Sequence, residues 1–219
     1  MFTHELEEAL INDEIDFAVH SLKDLPAEIN PELPIVAYSK RGDPRDALIA
    51  NTSTPDVIAS SSLRRRLQLG RLYPSARLVP LRGNIDSRLR RLDSGEFSGL
   101  VLAASGLDRL GLAHRITRIF TPEEIMPAPG QGILACQGRL GKDYSYLECV
   151  DDSDSRDCGR AERAFSRALN AGCNVPAGAL AELHGDYMTL KGLYVDAGGV
   201  FRRGELSGTR AQPELLGQR

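Results

Sequence analysis

The sequence predicts an α/β protein built from more than one domain, and three observations predict it. Three short apolar runs, Val57–Ala59, Arg77–Leu81 and Leu100–Ala104, each end in small polar residues and lead into apolar residues at helical spacing. Two turn-rich stretches, Lys40–Asp46 and Met126–Gly132, bracket this region as the crossings between two domains would, although an ordinary loop suits the second equally well. Past these, a helical segment is followed by a stretch that alternates, the mark of a hairpin.

The 219 residues are enough for two or three small domains, and 42% apolar content is enough for real cores. No apolar run approaches the length of a membrane span, and no secretory leader follows Met1, so the default location is cytoplasmic. Cys136, Cys149, Cys158 and Cys173 have no Cys-x-x-Cys spacing and no His pairing, which argues against zinc and against a disulfide framework. Net charge is −3, but Ser60–Ile119 holds 12 Arg and no Lys against four carboxylates. A positive segment in an otherwise acidic chain points to an anionic ligand, and Arg alone points to bidentate carboxylate or phosphate recognition. A solvated basic face stays open as the reading of Arg66, Arg90 and Arg91. The absence of Trp argues against a base-stacking nucleic-acid surface.

In chain order, Phe2–Leu10 reads as an amphipathic helix broken by Asn12-Asp13. Ile15–Val19 reads as a buried strand, Ile35–Tyr38 as a second and Ala47–Ala50 as a third. The three strand-to-helix units follow and imply a parallel sheet with right-handed crossovers. Ile133–Ala135 is the strand returning to the first domain. Asp151–Asp157 reads as an acidic linker, the segment from Ala161 to Leu169 as a helix stopped by Asn170-Ala171-Gly172, and Met188–Phe201 as the hairpin. A further helix begins near Leu215.

Three places carry chemistry. Pro26 stops regular structure after the strand, so Lys23 and Asp24 sit on a strand-end loop; the ammonium favours an ionised Asp24 able to meet a cationic intermediate or handle a proton. A solvated Lys-Asp pair on a turn is the other reading. In the parallel region Ser60, Ser62, Asn84 and Gly106 lie where helices start, with Arg64, Arg65, Arg82, Arg88 and Arg109 nearby. Free N–H groups plus guanidinium forks make a site for carboxylates or phosphates. Cys173 lies between Gly172 and Asn174 on a loop, where a structural and a functional role stand about even.

Taken together, several stretches resemble the hydroxymethylbilane synthase (porphobilinogen deaminase) family. They are Ala18–Asp24, Asp43–Ala47, Ser61–Arg65, Leu81–Asn84, Arg88-Leu89, Ala104–Gly111, Pro129–Gly132 and Gly172–Pro176, in family order. The resemblance implies two periplasmic-binding-protein-like (type II) lobes around a cleft, the first incomplete, plus a small α/β C-terminal domain carrying the cofactor cysteine. The expected domains are 1–39 with 133–150, then 43–126, then 155–219. It also implies a dipyrromethane cofactor in thioether linkage to Cys173, held by Lys23, Asp24, Ser60, Ser62, Arg64, Arg65, Arg82, Arg88 and Arg109. Four porphobilinogen units are then joined head to tail with loss of ammonia, and the linear tetrapyrrole is released by hydrolysis.

Each pyrrole carries acetate and propionate, which explains the many arginines, and Asp24 with Lys23 is the expected catalytic pair facing an azafulvene cation. The implied protein is a cytoplasmic monomeric transferase of porphyrin and heme biosynthesis without metal, nucleic-acid or membrane partners. The family begins several dozen residues before Phe2, so the first lobe is expected to be incomplete, the C-terminus slightly short, and a chain of this extent a poor catalyst or none. The competing reading is a non-catalytic anion-binding α/β module, which would need no Cys173; a nucleic-acid binder using the Arg-rich segment is the third.

Overall fold

The computed structural model describes residues 2–169 and 176–219. The chain forms two compact units: residues 43–127 make one, and residues 1–42 with 128–219 make the other.

In the discontinuous unit, helix α1 (Phe2–Ile11) precedes strands β1 (Phe17–Ser21) and β2 (Ile35–Tyr38). The helix ends in a turn at Asp13, whose φ of 61° is left-handed and suits Asp or Asn better than a branched residue. That turn, closed by Asp13 N–H donating to Leu10 O at 3.1 Å, moves the start of β1 from the expected Ile15 to Phe17.

The 43–127 unit holds β3 (Asp46–Ala50), β4 (Val57–Ala59), α2 (Leu63–Leu72), β5 (Arg77–Val79), α3 (Ile85–Asp93), β6 (Gly99–Ala103), α4 (Ala104–Arg109) and β7 (Arg118–Ile119). Its sheet runs β5-β4-β6-β3-β7. β4 is parallel to both β5 and β6, as the three strand-to-helix units require, whereas β3 lies antiparallel between β6 and β7. β5 stops at Val79 because Pro80 has no N–H to donate. Both faces of this sheet are covered. Ala47, Ile49, Leu100 and Leu102 join one cluster with Leu89, Leu92 and Leu107; Leu48, Ile58 and Val101 join the other with Leu69, Phe120 and Ile125. Two buried faces explain why these strands read as continuous apolar runs.

The remaining elements are β8 (Leu134–Gly138), α5 (Ser153–Ala168), β9 (Ala177–His184), β10 (Tyr187–Val195), β11 (Phe201–Thr209) and α6 (Pro213–Gln218). β8 runs antiparallel between β1 and β2. β1 is thus an edge strand, and Val19 on it is 51% exposed. β9, β10 and β11 form an antiparallel sheet on which α5 and α6 pack through Cys158, Ala161, Met188, Leu190 and Leu216. Gly217 lets α6 approach α5: a Cβ there would lie 2.2 Å from Ala161 O.

Three expectations need correction. The acidic stretch after Asp151 is not a linker: the Asp152 carboxylate accepts from Ser155 N–H at 2.8 Å, caps α5, and turns Ser153–Asp157 into its first turns. The hairpin has a third strand, β9, whose small residues Ala177, Gly178, Ala179 and Ala181 gave no strong strand signal. Helix α4 begins at Ala104 without a side-chain cap, so Ser105 and Gly106 lie within it.

Candidate functional site

In the discontinuous unit, the polar end of β1 runs into a single 3-10 turn, Leu22–Asp24. Leu22 is fully buried and anchors this turn in a core with Leu25, Tyr38, Ile133 and Ala135. Its N–H donates to Ile133 O at 3.0 Å. With Leu22 fixed, Lys23 is half-buried and Asp24 is exposed. Lys23 Nζ reaches Gln131 Oε1 at 3.4 Å.

Gln131, fully buried, belongs to the Pro129–Gly132 loop, and that loop is held by a carboxylate absent from the sequence-based site. Glu162 on α5 is fully buried. Its Oε2 accepts from Gly130 N–H at 2.6 Å and its Oε1 from Ala181 N–H at 2.7 Å. Arg41 completes the set: Nη1 and Nη2 donate to the two carboxylate oxygens at 2.6 and 3.2 Å, and Nε donates to Gln131 O at 3.0 Å. Every lone pair of the buried charge is thereby directed at a donor. Gly130 has φ of +76°, and a Cβ there would lie 2.7 Å from Leu22 Cγ, so the loop closes on the turn only with glycine. Composition marks Pro-Gly-Gln-Gly as a loop; only the three-dimensional structure shows that Glu162 fixes it beneath Lys23.

In the 43–127 unit, the carboxyl ends of β4, β5 and β6 lie at one edge of the sheet, where open α/β sheets bind ligands. Ser60 follows β4 and is buried; its Oγ accepts from Ser62 N–H at 3.4 Å. Ser62 caps α2, accepting from Arg65 N–H at 3.3 Å. Asn84 caps α3, accepting from Ser87 N–H at 2.9 Å. Arg82 is exposed beside that cap, Arg88 is half-buried on α3, and Arg109 is exposed in the last turn of α4.

Arg64 and Arg65 sit differently from Arg82. Both are buried, and both grip Asp46, which is fully buried at the start of β3. The antiparallel register pairs Asp46 with Ala103, which brings it to this same edge. Arg64 Nη1 donates to Asp46 Oδ2 at 2.9 Å, and Arg65 donates to Oδ1 from Nε at 3.0 Å and from Nη2 at 2.7 Å. Arg64 Nη1 also donates to Met126 O, and Arg65 Nη1 to Val101 O at 3.3 Å. Burial, opposed by Asp46, pulls the Arg64 guanidinium below its ordinary range. Two guanidiniums against one carboxylate leave a net positive charge beneath the serines. The sequence pattern contained Asp46 but gave no signal of this pairing, which depends on the antiparallel register.

Cys173 lies outside the described residues. Two of the other cysteines are not activated thiols: Cys158 is buried on α5 and pushed up to about 12, burial first and Glu162 second, and burial also raises Cys136. Among the described residues no three His, Cys, Asp or Glu side chains gather as metal ligands, and no helix is long and apolar enough to cross a membrane.

Known proteins match this chain over nearly its whole length. The family description "Porphobilinogen deaminase, dipyromethane cofactor binding domain" matches residues 1–146, and "Porphobilinogen deaminase, C-terminal domain" matches residues 157–219. The porphobilinogen deaminase of Ruminiclostridium josui is 50% identical over 220 residues, covering 99% of this chain and 76% of that protein. That of Alkaliphilus oremlandii is 46% identical over 222 residues, covering 99% of this chain and 75% of its own. Among solved structures, an ABC transporter protein from Parabacteroides distasonis aligns with a TM-score of 0.43 at 16% identity, covering 76% of this chain and 60% of that one. A periplasmic sulfonate-binding protein from Methylobacillus flagellatus aligns at 0.38, also at 16% identity, covering 76% and 53%. With both family regions matched in order and half the residues identical to a curated relative, the chain belongs to the porphobilinogen deaminase family, the enzymes of tetrapyrrole biosynthesis whose larger region binds a dipyrromethane cofactor.

Proposed function

We propose that this chain carries the stepwise head-to-tail condensation of four porphobilinogen units, with loss of ammonia and release of hydroxymethylbilane, and that its residues divide the work as follows. The carrying observation is the carboxyl edge of strands β5, β4 and β6, which bears two capped helix N-termini, Ser60, Ser62 and Arg82 together with the Arg64–Asp46–Arg65 cluster and its single net positive charge. That donor set fits a polycarboxylate such as a dipyrromethane: N–H groups, hydroxyls and guanidiniums, with the buried Asp46 carboxylate already neutralised.

Arg82, Arg88 and Arg109 bind acetate and propionate oxygens, and Ser60 and Ser62 orient them. Arg64 and Arg65, gripped by Asp46, supply fixed positive charge more than mobile forks. The dipyrromethane, when bound through Cys173, supplies the terminal pyrrole carbon that acts as nucleophile. Asp24 balances the positive charge on a pyrrole as ammonia departs and passes a proton at its carboxylate, while the tether to Gln131 holds Lys23 beside it. In this reading residues 1–39 with 133–150, 43–126 and 155–219 act as three domains, and the protein works as a cytoplasmic monomer without metal or nucleic acid.

The test uses porphobilinogen with ammonia and hydroxymethylbilane as readouts. A chain extended to the full length of its relatives should release four ammonia per tetrapyrrole. The 219 residues alone should be much slower, since β1 is a sheet edge with Val19 exposed. No product from the extended chain would remove the enzymatic reading in favour of an anion-binding module, and rapid product from the 219 residues would remove the second expectation.

A further inference from the structure

A cavity of about 300 Å³ lies within the discontinuous unit, between the Ile29–Ile35 segment and one face of α5. It shares with the site described above only Tyr38, which also packs in the core beneath the Leu22–Asp24 turn. Arg160, Arg163 and Arg167 line it from α5 at helical spacing, so all three project from one face. Tyr38, at the end of β2, lines it from the sheet side, and Asn30 and Glu214 also line it.

The polar groups of this cavity are incompletely used. Arg163 is only 6% exposed, yet its sole protein acceptors among the described residues are two carbonyls: Nη2 donates to Pro26 O at 2.6 Å and to Ala27 O at 3.1 Å. Its Nε and Nη1 meet no acceptor there. Glu28 lies near enough to act on its charge but makes no hydrogen bond to it, and burial outweighs this attraction and lowers the guanidinium from its ordinary range. Tyr38 is 8% exposed, and its hydroxyl likewise has no protein partner among the described residues. Burial raises this phenol, so it stays a donor at neutral pH. Arg160 is paired with Glu214; Arg167 is half-buried, with no carboxylate against it among the described residues. Three guanidiniums line the cavity against one lining carboxylate, Glu214, with Glu28 outside the lining, so the space carries an excess of positive charge. A largely buried guanidinium with no carboxylate in hydrogen-bond reach is unfavourable, and an anion in this space would remove part of the cost.

We propose that this cavity is a binding site for a small dianionic oxyanion, a phosphate monoester or a dicarboxylate, held by Arg163 and Arg167 with the Tyr38 hydroxyl as third donor. Arg163 simultaneously holds the Pro26 and Ala27 carbonyls, two and three residues beyond Asp24, so occupancy stiffens the segment leaving the Lys23–Asp24 turn.

The test follows the arginine side-chain Nε resonances of the whole chain while inorganic phosphate replaces chloride at constant ionic strength, with succinate in a second series. Saturable shifts at Arg163 and Arg167 are expected. Affinity should be weaker by about tenfold in Arg167→Gln and by several-fold in Tyr38→Phe, as for loss of a charged and a neutral hydrogen bond. Tighter binding of phosphate assigns a phosphate ester; tighter binding of succinate assigns a dicarboxylate. No saturation at these resonances with either anion, or equal affinity in a folded Arg167→Gln or Tyr38→Phe variant, would overturn the proposal.

Discussion

The pairing of two guanidiniums on Asp46 makes a quantitative prediction. Asp46→Asn keeps the shape of the side chain but removes the charge from a fully buried position, leaving Arg64 and Arg65 as two buried cations with no carboxylate between them. Breaking a buried pair by removing one partner costs about 3–5 kcal/mol. A unit of ~85 residues has a stability of roughly 4–13 kcal/mol at the usual value per residue, so this one substitution removes a large share of it. The assay is native-state hydrogen exchange at Leu100, Val101 and Leu102, central amides of β6 that exchange only when the 43–127 unit opens. Protection there should fall by roughly two to four orders of magnitude, since each factor of ten is about 1.4 kcal/mol. Asp93→Asn is the control: it breaks the Arg115 pair at 2.5 Å, but both side chains are substantially exposed, so the change should stay within about 1 kcal/mol. Should Asp46→Asn cost no more than Asp93→Asn, the cluster would not be the electrostatic keystone of the sheet edge.

Three further outcomes are expected. In a full-length chain, Asp24→Asn should lower turnover by about two to four decades with far less effect on binding, and turnover within a few-fold of the parent would remove Asp24 from its role. In a cofactor-loaded preparation, peptide mass mapping should place the dipyrromethane adduct on Cys173 alone. Cys158, buried with its thiol pushed up to about 12, should resist alkylation in the folded protein at pH 7; an adduct on Cys158 would refute the assignment. Burial holds His20 below its ordinary value, so the unfolded chain binds the proton first as pH falls. Stability of the discontinuous unit should therefore be full above about pH 6.5 and decline below it. His20→Gln should flatten that decline in denaturation curves compared between pH 7.5 and pH 5.

Much of the fold could be read directly because local signals and tertiary packing agree. The apolar runs of β2 and β4 fall where periodicity places them, and the caps Ser62 and Asn84 start α2 and α3 as their side chains predict. Reading failed where a residue's role is set by a distant partner. Asp46, Glu162 and Arg41 look like ordinary charges in turn-rich or helical text; their meaning comes from antiparallel register and from loops up to 121 residues away in sequence. β9 was missed because alanine and glycine line it, and those small side chains are what α5 needs to pack closely. Arg82 and Arg109 are exposed as an anion-binding role requires, whereas Arg64 and Arg65 are enclosed by Asp46, a distinction that spacing alone does not contain.

The position of β8 has a consequence for how the protein is made. Among the described residues, β1 and β2 do not pair with each other and each pairs only with β8, which begins at Leu134. On a ribosome, both strands leave the exit tunnel long before their partner exists, and the entire 43–127 unit is synthesised in the interval. At about 5–20 residues per second the wait from Tyr38 to Leu134 lasts roughly 5–19 s, ample for the contiguous unit to fold first. The nascent chain meanwhile carries two orphan strand edges, one of them bearing the exposed Val19. Translation speed between codons 43 and 134, and the supply of chaperones during that window, should therefore affect the yield of intact protein.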